Sequence, residues 1–206
     1  MRYPPNDRGM AVLLAVLTAT LLSALGSSLL LVANVERRAV ANAGYATETL
    51  SAAEAGLERA LLDLRRSPDW SPLVGGAATS AFAGPRGQVT LPVGGTFDLN
   101  LRTAELQAQS WSAGAFGANT PVWCPIAWGP LSALAAQGAI DSLQYLTVWI
   151  ADDPADADGA PNIDQNGIVL LHAESRGPAG SRRMIEAVVS RPPAGGVRLV
   201  TWREVR

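Results

Sequence analysis

Apolar and small uncharged residues run without a break from Met10 to Ala33, twenty-four positions closed by Asn34, Glu36, Arg37 and Arg38. About 20 apolar residues carry a helix across a bilayer, so the run predicts a membrane-spanning segment over 10–33 with room for tilt. Its Thr18, Thr20, Ser23, Ser27 and Ser28 can bond back to helix carbonyls, and Gly26 is its weakest point. Neither proline nor loop composition follows. Instead Val35, Ala39, Ala43, Ala46, Leu50, Ala53, Leu57, Leu61 and Leu64 recur at spacings of three and four, a one-sided stripe at helical period. Leu50, Leu57 and Leu61 are the predicted packing positions, with Glu48, Glu58 and Asp63 in solvent. The helix should stop near Ser67, because Pro68 disfavours helical backbone at the residue before it. The pattern therefore predicts one helix over 10–66, roughly 85 Å long at 1.5 Å per residue.

Beyond Pro68 the chain turns to Gly, Pro, Ser and Thr among alternating apolar residues. Candidate strands are 87–93 and 96–102, joined at Gly94 and Gly95, with Phe97, Leu99 and Leu101 on one face. Four more follow at 144–151, 167–175, 182–191 and 197–205. Several short strands after one long helix predict an α+β fold: a long N-terminal helix, membrane-embedded in its first half, packed on a C-terminal antiparallel sheet. The stretch 103–143 is less regular. It carries Trp111, Trp123 and Trp128, expected to cover the sheet as core or to form a binding surface, and a helix-like piece over 131–140.

Composition narrows the chemistry. The 206 residues are 48% hydrophobic, enough for a real core. A net charge of -2 makes no electrostatic case for nucleic acid. All sixteen basic residues are Arg, which excludes Schiff-base lysines and P-loop lysines. The single Cys124 cannot form an intrachain disulfide and reads as a small buried hydrophobe. The lone His172 sits in a strand pattern with no second ligand or nucleophile motif near it, a core or surface histidine. GAFG at 114–117 has too few glycines for a phosphate loop. No catalytic constellation emerges, and the chain is expected not to be an enzyme. One ion site merits weighing. NIDQNG over 162–167 places Asn162, Asp164 and Asn166 at the alternating positions of the first half of an EF-hand loop, making them calcium candidates. The twelfth position is Ala173, with Glu174 one residue too far. Asp152, Asp153, Asp156 and Asp158 are the substitute ligands, and ordinary turn chemistry accounts for the same residue types. The expected cofactor is none, with calcium as the minority reading.

The nine residues before the apolar run, MRYPPNDRG, are polar and meet Met10 with no spacer. Arginines flank the span on both sides, so the charge rule decides little, and the short leader favours a cytoplasmic N-terminus. RGMAVLLAVLTATLLSALG, followed by TLSAAEAGLERALLDLRR over 49–66, resembles the type III signal and first helix of type IV pilins and type II secretion pseudopilins. It is similar above all to the N-terminal region of the PilX family of minor pilins. The run from Asp158 to Arg191 and the ending VRLVTWREV resemble PilX-like C-terminal regions. The resemblance implies a leader over 1–9, cleavage after Gly9 by a prepilin peptidase and methylation of the new N-terminal Met10. It implies a β-rich periplasmic domain over 67–206, anchored in the inner membrane and later placed in a pilus or pseudopilus. The implied partners are other minor and major pilins and the inner-membrane assembly platform. One departure stands out. Most pilin-like proteins carry a glutamate at the fifth mature position, where this chain has Leu14; the tip-located K pseudopilin and some PilX-like proteins share that absence. The alternative is a single-pass anchored periplasmic binding module that never enters a filament.

Overall fold

The computed structural model describes residues 7–112, 117, 119–136, 138–193 and 195–205. The chain divides into two units, Met1–Gly44 and Tyr45–Arg206. A single helix, α1, spans Asp7–Arg66 and contributes to both. In the first unit its apolar side chains face outward all round: Met10, Leu22 and Leu30 are each 69% exposed and Val35 60%. Thr18, Thr20 and Ser27 return their hydroxyls to carbonyls of the preceding turn, the pairing a polar side chain on an apolar helix needs.

The second unit is an α+β domain. Its main sheet has five antiparallel strands in chain order: β3 (Cys124–Pro130), β4 (Tyr145–Asp152), β5 (Ile168–Arg176), β6 (Arg182–Ser190) and β7 (Arg198–Val205). A smaller hairpin pairs β1 (Gln88–Thr90) with β2 (Thr96–Asp98) through a five-residue loop, 91–95, in which Gly94 and Gly95 are both at φ +84 and Gly94 N donates to Leu91 O. Three short helical pieces accompany these strands: α2 (Ser71–Val74) and 3₁₀ turns at Leu131–Leu134 and Pro178–Gly180.

Alternation along the strands sends side chains to two different cores. Val148, Ile150, Leu171, Ala173, Ile185 and Val189 face the C-terminal part of α1 and meet Ala53, Leu57, Ala60, Leu61 and Leu64. The helix lies close because its contact residues are small. A Cβ on Gly56 would stand 3.2 Å from Val148 Cγ2. Tyr145, Trp149 and Ala151 point the other way, onto Phe97, Leu99, Leu106, Trp123 and Trp128. β4 is buried along its whole length in consequence. Leu57 and Leu61 are buried as the stripe predicts and Leu50 is half-buried. Glu48 and Glu58 are exposed, but Asp63 is not left to solvent: it accepts two bonds from Arg59, four residues back, and its side chain is 13% exposed.

Three expectations are corrected. The segment 96–102 is a strand only to Asp98. From there α3 runs over Leu99–Ser112, with the Asp98 carboxylate accepting from the amides of Asn100 and Leu101 as a helix cap. Leu99, Arg102 and Leu106 form its buried face, whereas Leu101 is 62% exposed. Among the described residues of 131–140 only the Leu131–Leu134 turn is helical, and Gly138 at φ +80 departs from helical backbone. β3 arises where no strand was expected; its Pro125 and Pro130 sit at a bulge and at the strand end, positions on an edge strand that need no donor. The outer side of β3 is covered by residues 80–84, through Ser80 N to Ile126 O and Gly84 N to Trp128 O. The opposite edge, β7, is open, with Leu199, Val200 and Trp202 at 40, 57 and 51% exposure.

Candidate functional site

Gly9 and Met10 lie within α1, exposed, and a Cβ on Gly9 would meet nothing within 4 Å. Leu14 is likewise exposed at 56%. The junction implied for processing is therefore presented on open helix. One helix here, over Gly9–Arg66, is long and apolar enough to cross a membrane, its most apolar window having a mean hydropathy of 2.1 with none of it buried. At the other end, α1 is capped by one nearby side chain and one from distant chain. The Trp70 indole donates to Leu64 O at 2.9 Å, and the Arg191 guanidinium donates to the carbonyls of Leu64, Ser67 and Pro68 while stacking on Trp70 at 4.3 Å. These donors satisfy carbonyls that a helix C-terminus otherwise leaves open.

The α3-facing side of the sheet carries a buried cluster of charged side chains. Glu174, 2% exposed, is met by Arg102 Nε at 2.8 Å, Arg176 Nη2 at 2.6 Å and Arg182 Nη2 at 2.8 Å. Burial pushes the carboxyl up, but Arg102, Arg176 and Arg182 outweigh it and hold Glu174 below the ordinary carboxylate range. Next to it along β5, His172 is buried edge-on between Trp123 and Trp149, with ring centroids at 5.9 and 5.7 Å. Its Nδ1 is 3.7 Å from Glu186 Oε1, beyond hydrogen-bond length, while Glu186 Oε2 accepts two bonds from Arg203. A cavity of about 410 Å³ opens beside them, lined by Ser110, Trp123, Leu170, Glu186, Thr201 and Arg203. Trp123 and Trp128 are core, at 7 and 2% exposure, and each indole finds an acceptor: Ser110 Oγ at 2.6 Å and Pro85 O at 3.0 Å. The side chain of Trp111 and most of GAFG lie outside the described residues. Cys124 is half-buried, and desolvation pushes its thiol up.

The loop between β4 and β5 gathers the acidic residues. The structure assigns the EF-hand-like positions to turn chemistry. Asp164 Oδ1 accepts from Gly167 N at 2.8 Å, Asn166 Oδ1 accepts from Ile168 N at 2.8 Å, and Asn162 is exposed. The carboxylates that converge are Asp152, Asp156 and Asp158, each offering one oxygen within 4.8 Å of the other two. Asp152 is 0% and Asp156 6% exposed. Sequence reasoning missed a fourth member. Asn119, 1% exposed, donates from Nδ2 to Asp152 Oδ2 at 2.8 Å and to Asp158 Oδ1 at 3.0 Å. Its segment reaches the loop because Gly117, at φ +140, passes so near Pro154 that a Cβ would stand 1.8 Å from the carbonyl oxygen. Burial pushes Asp152 up to about 6 against its Asn119 bond, whereas the second bond from Asn119 holds Asp158 below its ordinary value.

Comparison with family models, with curated proteins and with solved structures returns no match for this chain. The architecture is pilin-like. A long N-terminal apolar helix is packed by its C-terminal part on an antiparallel sheet.

Proposed function

We propose that the chain is a minor pilin or pseudopilin, a structural subunit that takes part in assembling and initiating a type IV pilus or a type II secretion pseudopilus, and not a catalyst. The observation that carries the reading is the division of labour along α1. Residues 10–33 present apolar side chains on every face, which needs a sheath of lipid or of other helices, while 45–66 commit one face to the sheet. In this reading a prepilin peptidase cuts after Gly9 and Met10 becomes the methylated N-terminus. The apolar helix holds the mature subunit in the inner membrane, with the β-rich domain in the periplasm. The assembly platform then extracts it, and residues 10–33 pack against other minor and major pilins.

N-terminal mass spectrometry of the protein from native membranes tests this. A mature chain beginning at methylated Met10 is expected, and Gly9→Val should leave the full precursor in the membrane. Normal assembly with the leader retained would overturn the reading and leave the anchored periplasmic module in its place.

A further inference from the structure

We propose that His172, the one histidine in the chain, is a proton-driven latch that fastens the edge strand β7 to the sheet when it takes up a proton. The latch does not rest on the pilin-like reading. On the α3-facing side, Trp149, His172, Glu186 and Arg203 are successive cross-strand partners, one from each of β4, β5, β6 and β7. The two ends of this row are made. Trp149 lies 5.7 Å ring to ring from His172, and Arg203 donates twice to Glu186 Oε2, from Nε at 3.0 Å and from Nη2 at 2.7 Å. The middle link is open. His172 Nδ1 stands 3.7 Å from Glu186 Oε1, the oxygen that Arg203 does not use. His172 is 1% exposed, and neither of its ring nitrogens has a hydrogen-bond partner among the described residues. A neutral imidazole carries one donor and one acceptor, so both are left unsatisfied, which native cores seldom accept.

A proton from solvent makes both ring nitrogens donors, and Nδ1 then faces an anionic acceptor. Glu186 is ionised to receive it: His172 first, and Arg203 after it, hold its carboxyl down at about 2 against the opposing effect of burial. The gap to close is about 1 Å, from 3.7 Å to the roughly 2.7–2.9 Å of a charge-assisted bond. Glu186 borders the cavity of about 410 Å³, which leaves its side chain room to move. From β4 and from the segment before β3 only indoles face the ring. Trp149 and Trp123, with centroids at 5.7 and 5.9 Å, lie within the roughly 6 Å at which an aromatic ring attracts a cation. The other charged groups on this side are Glu174, two residues along β5 and held by Arg102 of α3, Arg176 and Arg182, and Arg203 of β7, whose charge Glu186 offsets. The completed row ties β5, β6 and β7 side by side, and its last member belongs to the open edge. A contact made only by the protonated ring exists in acid and is lost as pH rises. That is the opposite sense to Glu174, whose stabilisation fades in acid. Histidine is the side chain whose charge changes between about pH 5 and 8, which sets the window.

The test uses the full chain in detergent micelles without a histidine tag, so that isotope-labelled histidine gives a single ring signal by NMR. Between about pH 8 and 5 that signal should move once, and Glu186→Gln should displace the movement toward acid by about one pH unit or more. Hydrogen exchange of the 198–205 amides, corrected for intrinsic rates, should show protection at least about fivefold higher near pH 5.5 than near pH 7.5. His172→Gln should abolish that difference. Arg203→Gln should abolish it as well while the ring signal still moves with pH. Glu204→Gln, which breaks the Arg183 pair outside the row, should keep it. Two wild-type results, which need no variant to fold, would overturn the latch: a ring signal flat across that range, or protection of β7 that does not rise in acid. An undisplaced titration in Glu186→Gln would overturn it too.

Discussion

Replacing Glu174 with Gln keeps the shape of the side chain and removes the one negative charge that three arginines share. Arg102 is the partner that suffers. Its side chain is 3% exposed, its Nε lies 2.8 Å from Glu174, and its other acidic neighbour, Glu105, stands at 3.4 Å with a side chain 53% exposed. Arg176 and Arg182, at 30 and 35% side-chain exposure, can turn to water. Breaking a buried pair by removing one partner costs about 3–5 kcal/mol, because the other charge stays buried and uncompensated. At about 2–4 °C per kcal/mol for a chain of this size, Glu174→Gln should melt roughly 6–20 °C below wild type. The pH dependence has a definite sign. Glu174 is held below its unfolded value, so its stabilisation is complete above about pH 4.5 and fades as pH falls through the folded value. The gap between wild type and variant should be widest at neutral pH and close in acid. Near-UV circular dichroism melts of the full chain in detergent, at about pH 7, 5 and 3.5, measure it. A variant melting within a degree or so of wild type at neutral pH, or a gap that widens in acid, refutes the argument.

Leu57 is 6% exposed in the α1-facing core, so Leu57→Ala should cost about 2–5 kcal/mol and lower the melting temperature, while half-buried Leu50→Ala should cost clearly less. An unchanged melting temperature in Leu57→Ala would place the stripe on the wrong face. Leu14 bears on abundance. In a low-dielectric helix bundle an amine at Met10 gains from a neighbouring carboxylate, and a subunit lacking one is at no disadvantage only where no earlier amine awaits it. The chain is therefore expected at low copy number near the start of an assembly, and quantitative proteomics of sheared fibres finding it as abundant as the main subunit would end the priming role.

Legibility in the sequence followed the range over which each element is determined. The end of α1 was readable because Pro68 and the three-four stripe are local, and β4 to β7 because alternation and turn residues are local too. α3 was hidden by its own chemistry. The buried face Leu99, Arg102, Leu106 has an arginine at its centre, whose partner Glu174 lies 72 residues away, so a helical stripe read as a strand. β3 was masked by its two prolines, which an edge strand accepts. The acidic loop was legible as a source of ligands but not which of them meet. That depends on Asn119 reaching Asp152 across 33 residues through the close pass at Gly117. Arg191 capping α1 from the end of β6 is likewise invisible in one dimension, because its acceptors are main-chain atoms with no sequence signature.

The order of the sheet also sets an order of folding. β4 to β7 each pair with the strand just before them in the chain, so once β3 is made every later strand finds its partner next to it in the chain order. The apolar face of α1 has no such luck. Ala53, Leu57 and Leu61 emerge first and wait for Leu146 to Ile150, nearly half the chain later. During synthesis from the N-terminus that face is open until β4 emerges, and the loop that must close between them is a large one. β7 has one strand neighbour only, β6, and so is held by fewer ladder bonds than the strands inside the sheet.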